Sequence, residues 1–400
     1  MNVLIGITGG IAAYKTYGLI RLFIKNGDMA RVVLTQNALH FVQPLVIETL
    51  SGQKCYTDMF APRTEIEHIS LTQWADILVI APATAGIIGK IAGGIADDLL
   101  STCVLAMDNK PCYIFPAMNS AMYRNKILRQ NLKKLKKAGF LLFDPVEGDL
   151  ACSDKGKGRM PGPGAIFRII KSCQLVPGFS FKSRLMGRRV LMTAGTTKAH
   201  IDPVRFISNR ASGRMGVELA RAFYSEGADV TCIGDRGLRE RFPEIEVYSE
   251  LVEVDTTEEL LAEAEKRFDS VDFYLSSAAI SDIANKPEAF KIKKEKERFL
   301  LKLQVAPDVF SNLSKKRKKQ VMVGFALESE NLVQNASDKL KKKNMDLIVA
   351  NPPDSMGGEK TTAVIINKNG VKKEFIDINK AVLAQRIVDM IIEEVKNEAG

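Results

Sequence analysis

Short apolar runs alternate with stretches of helical period along the whole chain. Residues 3–8 (Val-Leu-Ile-Gly-Ile-Thr) read as a buried parallel strand, and a glycine turn after them leads into a helix reaching about Lys25. Residues 31–34, 77–80 and 112–115 repeat the strand pattern with helical segments between them. Runs apolar on both sides of the pleat, alternating with helices, predict a parallel sheet covered on both faces. Residues 148–164 are rich in Gly, Pro and Lys and have no period, so they read as a long loop of the kind that often serves as a lid. A helix then runs to about Cys173.

The pattern restarts at residues 189–193 and continues with strands at 230–233, 273–276, 321–324 and 347–350. Residues 362–366 and 373–376, joined through Lys368-Asn369-Gly370, read as a terminal hairpin. A chain of 400 residues is long for one core, at a rule of thumb of about 150 residues per domain. The expectation is two Rossmann-like three-layer α/β domains: 1–176, then a linker at 177–186, then 187–400. The halves share a class and no visible sequence repeat.

Charge changes this picture little. The net charge is +10, but the basic clusters Lys291-Ile292-Lys293-Lys294, Lys315-Lys316-Arg317-Lys318-Lys319 and Lys341-Lys342-Lys343 stand in the second half without interleaved aromatics. Solvated faces or sites for small phosphorylated ligands fit better than a nucleic-acid platform. Six cysteines lie far apart without a Cys-x-x-Cys pair, and none of the three histidines has zinc spacing to them. No apolar run approaches the roughly 18 residues needed to span a bilayer. The start enters a strand directly, without a basic leader, so the expected location is cytoplasmic, with no membrane partner.

Candidate chemistry gathers where strands end. Thr8-Gly9-Gly10-Ile11-Ala12-Ala13-Tyr14-Lys15 joins a strand to a helix, where backbone N–H groups can meet a phosphate. Alone this signal is weak. Ala81-Pro82-Ala83-Thr84-Ala85 and Pro116-Ala117-Met118-Asn119 also follow strands, where open α/β sheets bind ligands. With Glu67-His68-Ile69, Asp98-Leu99-Leu100-Ser101-Thr102, and Ala151-Cys152-Ser153-Asp154 through Gly158-Arg159-Met160, the first half resembles the flavin-containing cysteine decarboxylases, specifically phosphopantothenoylcysteine decarboxylase. Singly, His68 also reads as a structural histidine, Asn119 as a helix cap and Cys152 as a small apolar residue. Together in matching motifs they read as functional.

The resemblance implies a flavodoxin-like fold and an FMN site formed by Thr8, Gly9, Gly10, Ala81, Ala83, Thr84 and Ser101. It also implies flavin-assisted loss of the cysteinyl carboxylate, since a carbanion left without an electron sink would not form. His68 would act as base or positioner, Asn119 would hold the carboxylate, and Cys152 would donate a proton. Asp97 stands where the family usually has Asn, with little effect expected on flavin binding.

In the second half, Gly195-Thr196-Thr197 and the stretch Ile201-Asp202-Pro203-Val204-Arg205-Phe206-Ile207-Ser208-Asn209-Arg210, followed by Ser212-Gly213-Arg214-Met215-Gly216, resemble phosphopantothenate–cysteine ligase. Ala278-Ala279-Ile280-Ser281-Asp282, Lys291 to Lys294, Gly324-Phe325-Ala326-Leu327-Glu328 and the segment 346–351 extend the match. The resemblance implies amide formation through an acyl-nucleotide, with CTP as co-substrate and Mg2+ beside Asp282. Lys291 is the candidate for stabilising the first step and Asn209 for holding the acyl intermediate. Arg205, Ala278, Ala279, Asp282, Lys293, Phe325, Lys339, Lys342 and Lys343 are candidates for substrate or nucleotide contacts. The chain departs from the family at Lys198-Ala199-His200, Ile283-Ala284-Asn285, Ala306 and Met356-Gly357-Gly358-Glu359, which bears on nucleotide choice and cation binding.

The joint expectation is a coenzyme A biosynthesis enzyme acting on 4'-phosphopantothenate, cysteine and CTP. It would be a homo-oligomer, trimer-based at the flavin domain and dimeric at the ligase domain. Rival readings are a peptidyl-cysteine decarboxylase, a flavin prenyltransferase, a non-catalytic flavoprotein relative and an NAD(P) dehydrogenase. The last lacks both Gly-x-Gly-x-x-Gly and a Tyr-x-x-x-Lys constellation.

Overall fold

The structure is a computed structural model, and it describes residues 1–60, 66–149, 155–293, 301–353 and 357–399. The chain divides into two compact units, Met1–Lys171 and Ser172–Gly400.

The first unit is built on strands β1 (Asn2–Ile7), β2 (Met29–Leu34), β3 (Cys55–Tyr56), β4 (Ile77–Ala83), β5 (Cys112–Pro116) and β6 (Leu141–Leu142). They form one sheet in the order β3-β2-β1-β4-β5-β6, with every pairing parallel. Val3, Leu4, Ile5 and Ile7 are fully buried, as an apolar run covered on both faces requires. In this doubly wound order the direction in which successive strands are added reverses between β1 and β4, which opens a crevice at their carboxyl ends. The Gly9-Gly10 turn and the Ala83-Thr84 turn both stand there.

Residues 148–164, expected as a loop without period, instead hold part of an antiparallel hairpin of β7 (Val146–Asp149) and β8 (Lys155–Arg159), and the start of the helix Pro163–Leu175. Glycines and lysines pair here through the backbone alone, so no alternation of apolar and polar residues announces the strands.

The second unit repeats the topology. Strands β9 (Arg189–Ala194), β12 (Asp229–Asp235), β13 (Glu250–Val254), β14 (Phe273–Ser276), β17 (Val321–Leu327) and β18 (Leu347–Asn351) are parallel in the order β13-β12-β9-β14-β17-β18. The hairpin of β19 (Lys360–Asn367) and β20 (Lys372–Asn379) is added antiparallel to β18. Two small pairs, β10 (Lys198–His200) with β11 (Phe206–Ser208) and β15 (Ile283–Ala284) with β16 (Gln304–Val305), stand outside this sheet. The helices Arg214–Ser225 and Lys380–Ala399 pack together on one face. The helices Thr257–Phe268, Val309–Lys315 and Leu332–Lys342 share a core on the other. The reversal falls between β9 and β14.

The segment 177–186, expected as a linker, packs on this second unit. Lys182 and Leu185 donate main-chain bonds to Ser225 and Glu226 (2.7 and 2.9 Å), Leu185 is buried, and Arg184 binds Glu226 and Asp389. Leu185, the ring of Phe181 against Tyr224 (5.7 Å between centroids) and ion pairs hold it, and such scattered anchors leave no period in the sequence.

Candidate active sites

At the first crevice Thr8 is the keystone. Its buried hydroxyl donates to the Pro82 carbonyl (2.7 Å) and accepts the Thr84 N–H (3.1 Å), which locks the end of β1 to the end of β4. Gly10 caps the short 3-10 turn Ile11–Lys15, and Thr84 caps the helix Ala85–Gly93. Gly10 has no side chain to cap with, and Thr84 makes no side-chain bond to the helix it begins. Two helical starts are thus left facing the crevice without side-chain caps, an arrangement suited to a phosphate. Gly9 has a packing reason for lacking a side chain, since a Cβ there would lie 2.4 Å from that of Asn37. Ala81 and Ala83 are fully buried in β4, and the Ala83 carbonyl accepts from the Ala117 N–H (3.0 Å), which ties in the next turn.

Ser101 belongs to a helix cap. It is buried in a reciprocal cap of the helix Leu99–Leu105, its N–H on Asp98 Oδ1 (2.8 Å) and its hydroxyl donating to the Asp98 carbonyl (3.0 Å). That hydroxyl is engaged within the cap. Lys90 holds both Asp98 and Asp97 at 2.7 Å, which gives the departure at Asp97 an ion-pair partner.

Asn119 caps the helix Ser120–Arg124 through Oδ1, which accepts the Ala121 N–H at 2.7 Å. The β7–β8 hairpin seats on this same segment. Met118 N–H donates to the Gly158 carbonyl (3.0 Å), and a Cβ on Gly158 would come 2.3 Å from the Met118 carbonyl oxygen. Beside this contact, Lys157 reaches Asp144 (3.7 Å), which also accepts from the Tyr123 hydroxyl (2.8 Å). Burial would raise the Asp144 carboxyl, but Lys136 and Lys157 bring it below the usual carboxylate range. Cys152, between the two strands in sequence, lies outside the described residues. His68 is half-buried on the helix Glu67–Trp74, which packs against the helix Leu99–Leu105.

The second crevice is a cavity of about 700 Å³. Asn209, Ala278, Ala279, Asp282, Phe325, Lys339 and Lys343 all line it, gathered from motifs that span much of the unit. Gly195, at φ +84°, permits the close turn, since a Cβ would stand 1.9 Å from Asp235 Oδ2. Asn209 donates through Nδ2 to the Ala279 and Ile280 carbonyls (3.3 and 3.1 Å), which positions it across the crevice. Lys343 pairs with Asp308 at 2.7 Å. Burial, then the Lys343 charge, holds the Lys339 ammonium below the ordinary lysine range, against a partial pull from Glu328, Asp282 and Asp308.

Arg205, Lys291, Lys293 and Lys342 do not line the cavity. Arg205 instead grips the buried carboxylate of Asp202 (3.0 and 2.5 Å) and donates to the Ile292 carbonyl (3.0 Å), while the Ile292 N–H donates back to Asp202 (3.1 Å). The Arg205 guanidinium, with three main-chain N–H donors, holds the Asp202 carboxyl far below its ordinary value. Arg205 therefore anchors the strand of chain that carries Lys291 and Lys293. The departures at Lys198 and His200 both stand on Asp255, at 2.8 and 2.7 Å.

Family models match both halves: Flavoprotein over residues 1–174 and the DNA/pantothenate metabolism flavoprotein C-terminal domain over residues 185–395. The coenzyme A biosynthesis bifunctional protein CoaBC of Borreliella burgdorferi is 37% identical over 397 residues, covering 98% of each chain. The protein of the same description in Haemophilus influenzae is 39% identical over 401 residues, covering 98% of this chain and 97% of that one. A crystal structure of the C-terminal domain of a CoaBC protein overlaps 54% of this chain and all of its own, with 27% identity and a TM-score of 0.47.

The chain belongs to the bifunctional CoaBC family.

It is accordingly an enzyme of coenzyme A biosynthesis with two activities, phosphopantothenate–cysteine ligation and decarboxylation of the product. Within this CoaBC-family chain, several residues left without a role in the sequence stand at the two sites. Lys15 is half-buried beside Arg159, and burial and that second cation both hold its ammonium below the ordinary range. Asp308, Arg214 and Lys380 line the second cavity. The motifs containing Lys15, Arg159 and Arg214 are visible in the sequence; nothing in it marks Lys380, at the start of the last helix. No helix among the described residues is long and apolar enough to cross a membrane.

Proposed function

We propose that the second unit joins 4'-phosphopantothenate to cysteine at the expense of CTP, and that the first decarboxylates the product with FMN. The observation that carries the ligase half is the cavity that gathers Asn209, Asp282, Phe325, Lys339 and Lys343 at the reversal of the sheet. Lys339 and Lys343 meet the triphosphate there. Asp282, with Asp308 nearby on the wall, suits a Mg2+ ion carried mostly by phosphate oxygens and water. No group of three or more metal-ligating side chains occurs among the described residues. Asn209 orients the acyl-nucleotide, and Lys291, on the segment anchored by Asp202 and Arg205, stabilises charge as the carboxylate attacks the α-phosphate.

The uncapped turns at Gly10 and Thr84, bridged by Thr8, fit the phosphate end of FMN. Bound FMN supplies the two-electron chemistry that decarboxylation beside a thiol requires. Asn119 offers amide donors to the substrate carboxylate, and Cys152, as the resemblance implies, donates the proton. His68 positions or accepts a proton. Exposed Ile11, Tyr14, Ile69 and Met122 support a homo-oligomer in which the flavin site is completed between subunits, trimer-based there and dimeric at the ligase. The location is the cytoplasm, and the activities divide at the linker region 177–186.

Incubation with phosphopantothenate, cysteine and either CTP or ATP tests this. CTP should give pyrophosphate and then CO₂ in equal amounts, from a yellow protein. Equal rates with ATP would overturn the nucleotide assignment, and a colourless protein the cofactor assignment.

A further inference from the structure

Thr257, the first residue of the helix Thr257–Phe268, belongs to none of the motifs and does not line the ligase cavity, yet it is only 2% exposed. Its hydroxyl donates to the Ser281 carbonyl (3.3 Å) and stands 2.8 Å from the Thr197 hydroxyl, which accepts the Ser281 N–H (2.8 Å). A hydroxyl has one proton to give, so Thr197 donates to Thr257 and the bonds close a ring. It runs from the Ser281 N–H to Thr197, on to Thr257, and back to the Ser281 carbonyl. Thr197 and Ser281 are buried too, so each of these groups must find its partner within the protein. The three residues follow β9, β13 and β14, strands that only the closed fold brings together.

The ring grips the peptide next to Asp282, which lines the cavity. On the other side the Asp282 carbonyl accepts the Ala306 N–H (2.9 Å), and the Ser281 hydroxyl spans the residue to the Ile283 carbonyl (2.9 Å). The backbone of Asp282 is thus held from both directions. The turn that bears Thr257 also holds the strand after Thr197. The Lys198 N–H donates to the Asp255 carbonyl (2.9 Å), and Lys198 Nζ reaches the Asp255 carboxylate (2.8 Å). The helix itself starts without help from the Thr257 hydroxyl, since Thr256 caps it by accepting the Glu259 N–H (3.2 Å). The hydroxyl of Thr257 therefore serves the ring and not its own helix.

We propose that Thr257 is a positioning residue of the ligase, whose hydroxyl, through Thr197 and Ser281, sets where the Asp282 carboxylate stands toward the cation-bearing nucleotide. Replacing that hydroxyl by a methyl takes an acceptor from the Thr197 hydroxyl and a donor from the Ser281 carbonyl. Both groups are buried, and the segment shifts to satisfy them. The proposal rests on the reading of Asp282 given above, which Asp282→Asn tests by itself.

The test is steady-state pyrophosphate release by the full chain, titrated with CTP and Mg2+, for wild type, Thr257→Val, Thr257→Ser and Asp282→Asn. Thr257→Val keeps the shape and removes the hydroxyl, and it should raise the KM for the Mg2+ complex of CTP roughly tenfold. Thr257→Ser keeps the hydroxyl and should stay within about threefold of wild type. KM decides, because a variant that merely folds less well loses rate per chain while its folded fraction keeps the KM. A KM for Thr257→Val within about threefold of wild type would overturn the proposal. So would a Thr257→Ser enzyme as impaired as Thr257→Val, since the hydroxyl would then not be what matters. Asp282→Asn should raise the same KM or abolish release; if it does neither, the reading of Asp282 falls and the proposal with it. If Thr257→Val does not fold or releases no pyrophosphate, Thr257→Ala is read by the same titration and the same limits.

Discussion

Gly158→Ala isolates the contact between the β7–β8 hairpin and the Asn119 loop. Gly158 does not need a left-handed backbone, so an alanine is acceptable to the chain itself, and only the space is at issue. The new Cβ would lie 2.3 Å from the Met118 carbonyl oxygen, 3.3 Å from the Ser120 nitrogen and 3.4 Å from the Asn119 carbonyl carbon. These are backbone atoms, and no side chain can turn aside. Reaching ordinary contact needs about 1 Å of separation, which breaks the 3.0 Å bond from Met118 N–H to the Gly158 carbonyl. Overpacking of about 1–3 kcal/mol and a lost hydrogen bond of about 1 kcal/mol set the local cost. A misplacement of about 1 Å between Asn119 and the hairpin costs on the order of 10²-fold in rate. The flavin cradle proposed at Thr8, Gly10 and Thr84 lies on other elements and should be spared. The assay measures flavin absorbance per chain, CO₂ release from phosphopantothenoylcysteine, and pyrophosphate release as an internal control. Gly162→Ala, where a Cβ meets nothing within 4 Å, is the neutral comparison. Decarboxylation by Gly158→Ala within about threefold of wild type, with flavin retained, would refute the argument that this seat positions the site.

Cys152→Ser should keep its flavin and stall the decarboxylase, with the oxidised enethiol accumulating by mass spectrometry; full turnover would sink the proton-donor role. Lys291→Gln should abolish pyrophosphate release even without cysteine, whereas Asn209→Asp should release pyrophosphate and pass little acyl-nucleotide to cysteine. Failure of both at one step would refute that division of labour. Arg221 is fully buried on Glu218 (2.9 Å), so Arg221→Met strands a buried carboxylate and should cost about 3–5 kcal/mol in the second unit, read as a lower melting temperature. Asp144 has a depressed folded pKa, so its contribution is present above about pH 4, the unfolded value, and fades as pH falls through the folded one. The stability gap between wild type and Asp144→Asn should therefore close on acidification, and a gap that widens would contradict the assignment of Lys136 and Lys157 as its partners.

The sequence alone determined the two parallel sheets, because strands covered on both faces must be apolar throughout and their helices must follow in alternation. It also marked the turns that follow strands as ligand-binding ends, whereas the strand order decided that those after β1 and β4, and after β9 and β14, stand side by side. What it left open is how each polar side chain is spent. The hydroxyl of Ser101 closes a helix cap, Arg205 holds Asp202 and Ile292, and the segment 177–186 is fastened by Arg184 to Glu226 and Asp389. The β7–β8 hairpin pairs through glycine and lysine backbone, which no hydrophobic period records. Tertiary structure alone brought Lys380 into the same cavity as Arg214, Lys339 and Lys343. The physical reason is one of range: apolar periodicity registers burial within a few residues, whereas Asp202 meets Ile292 at 90 residues' separation, and only the closed fold selects such a partner.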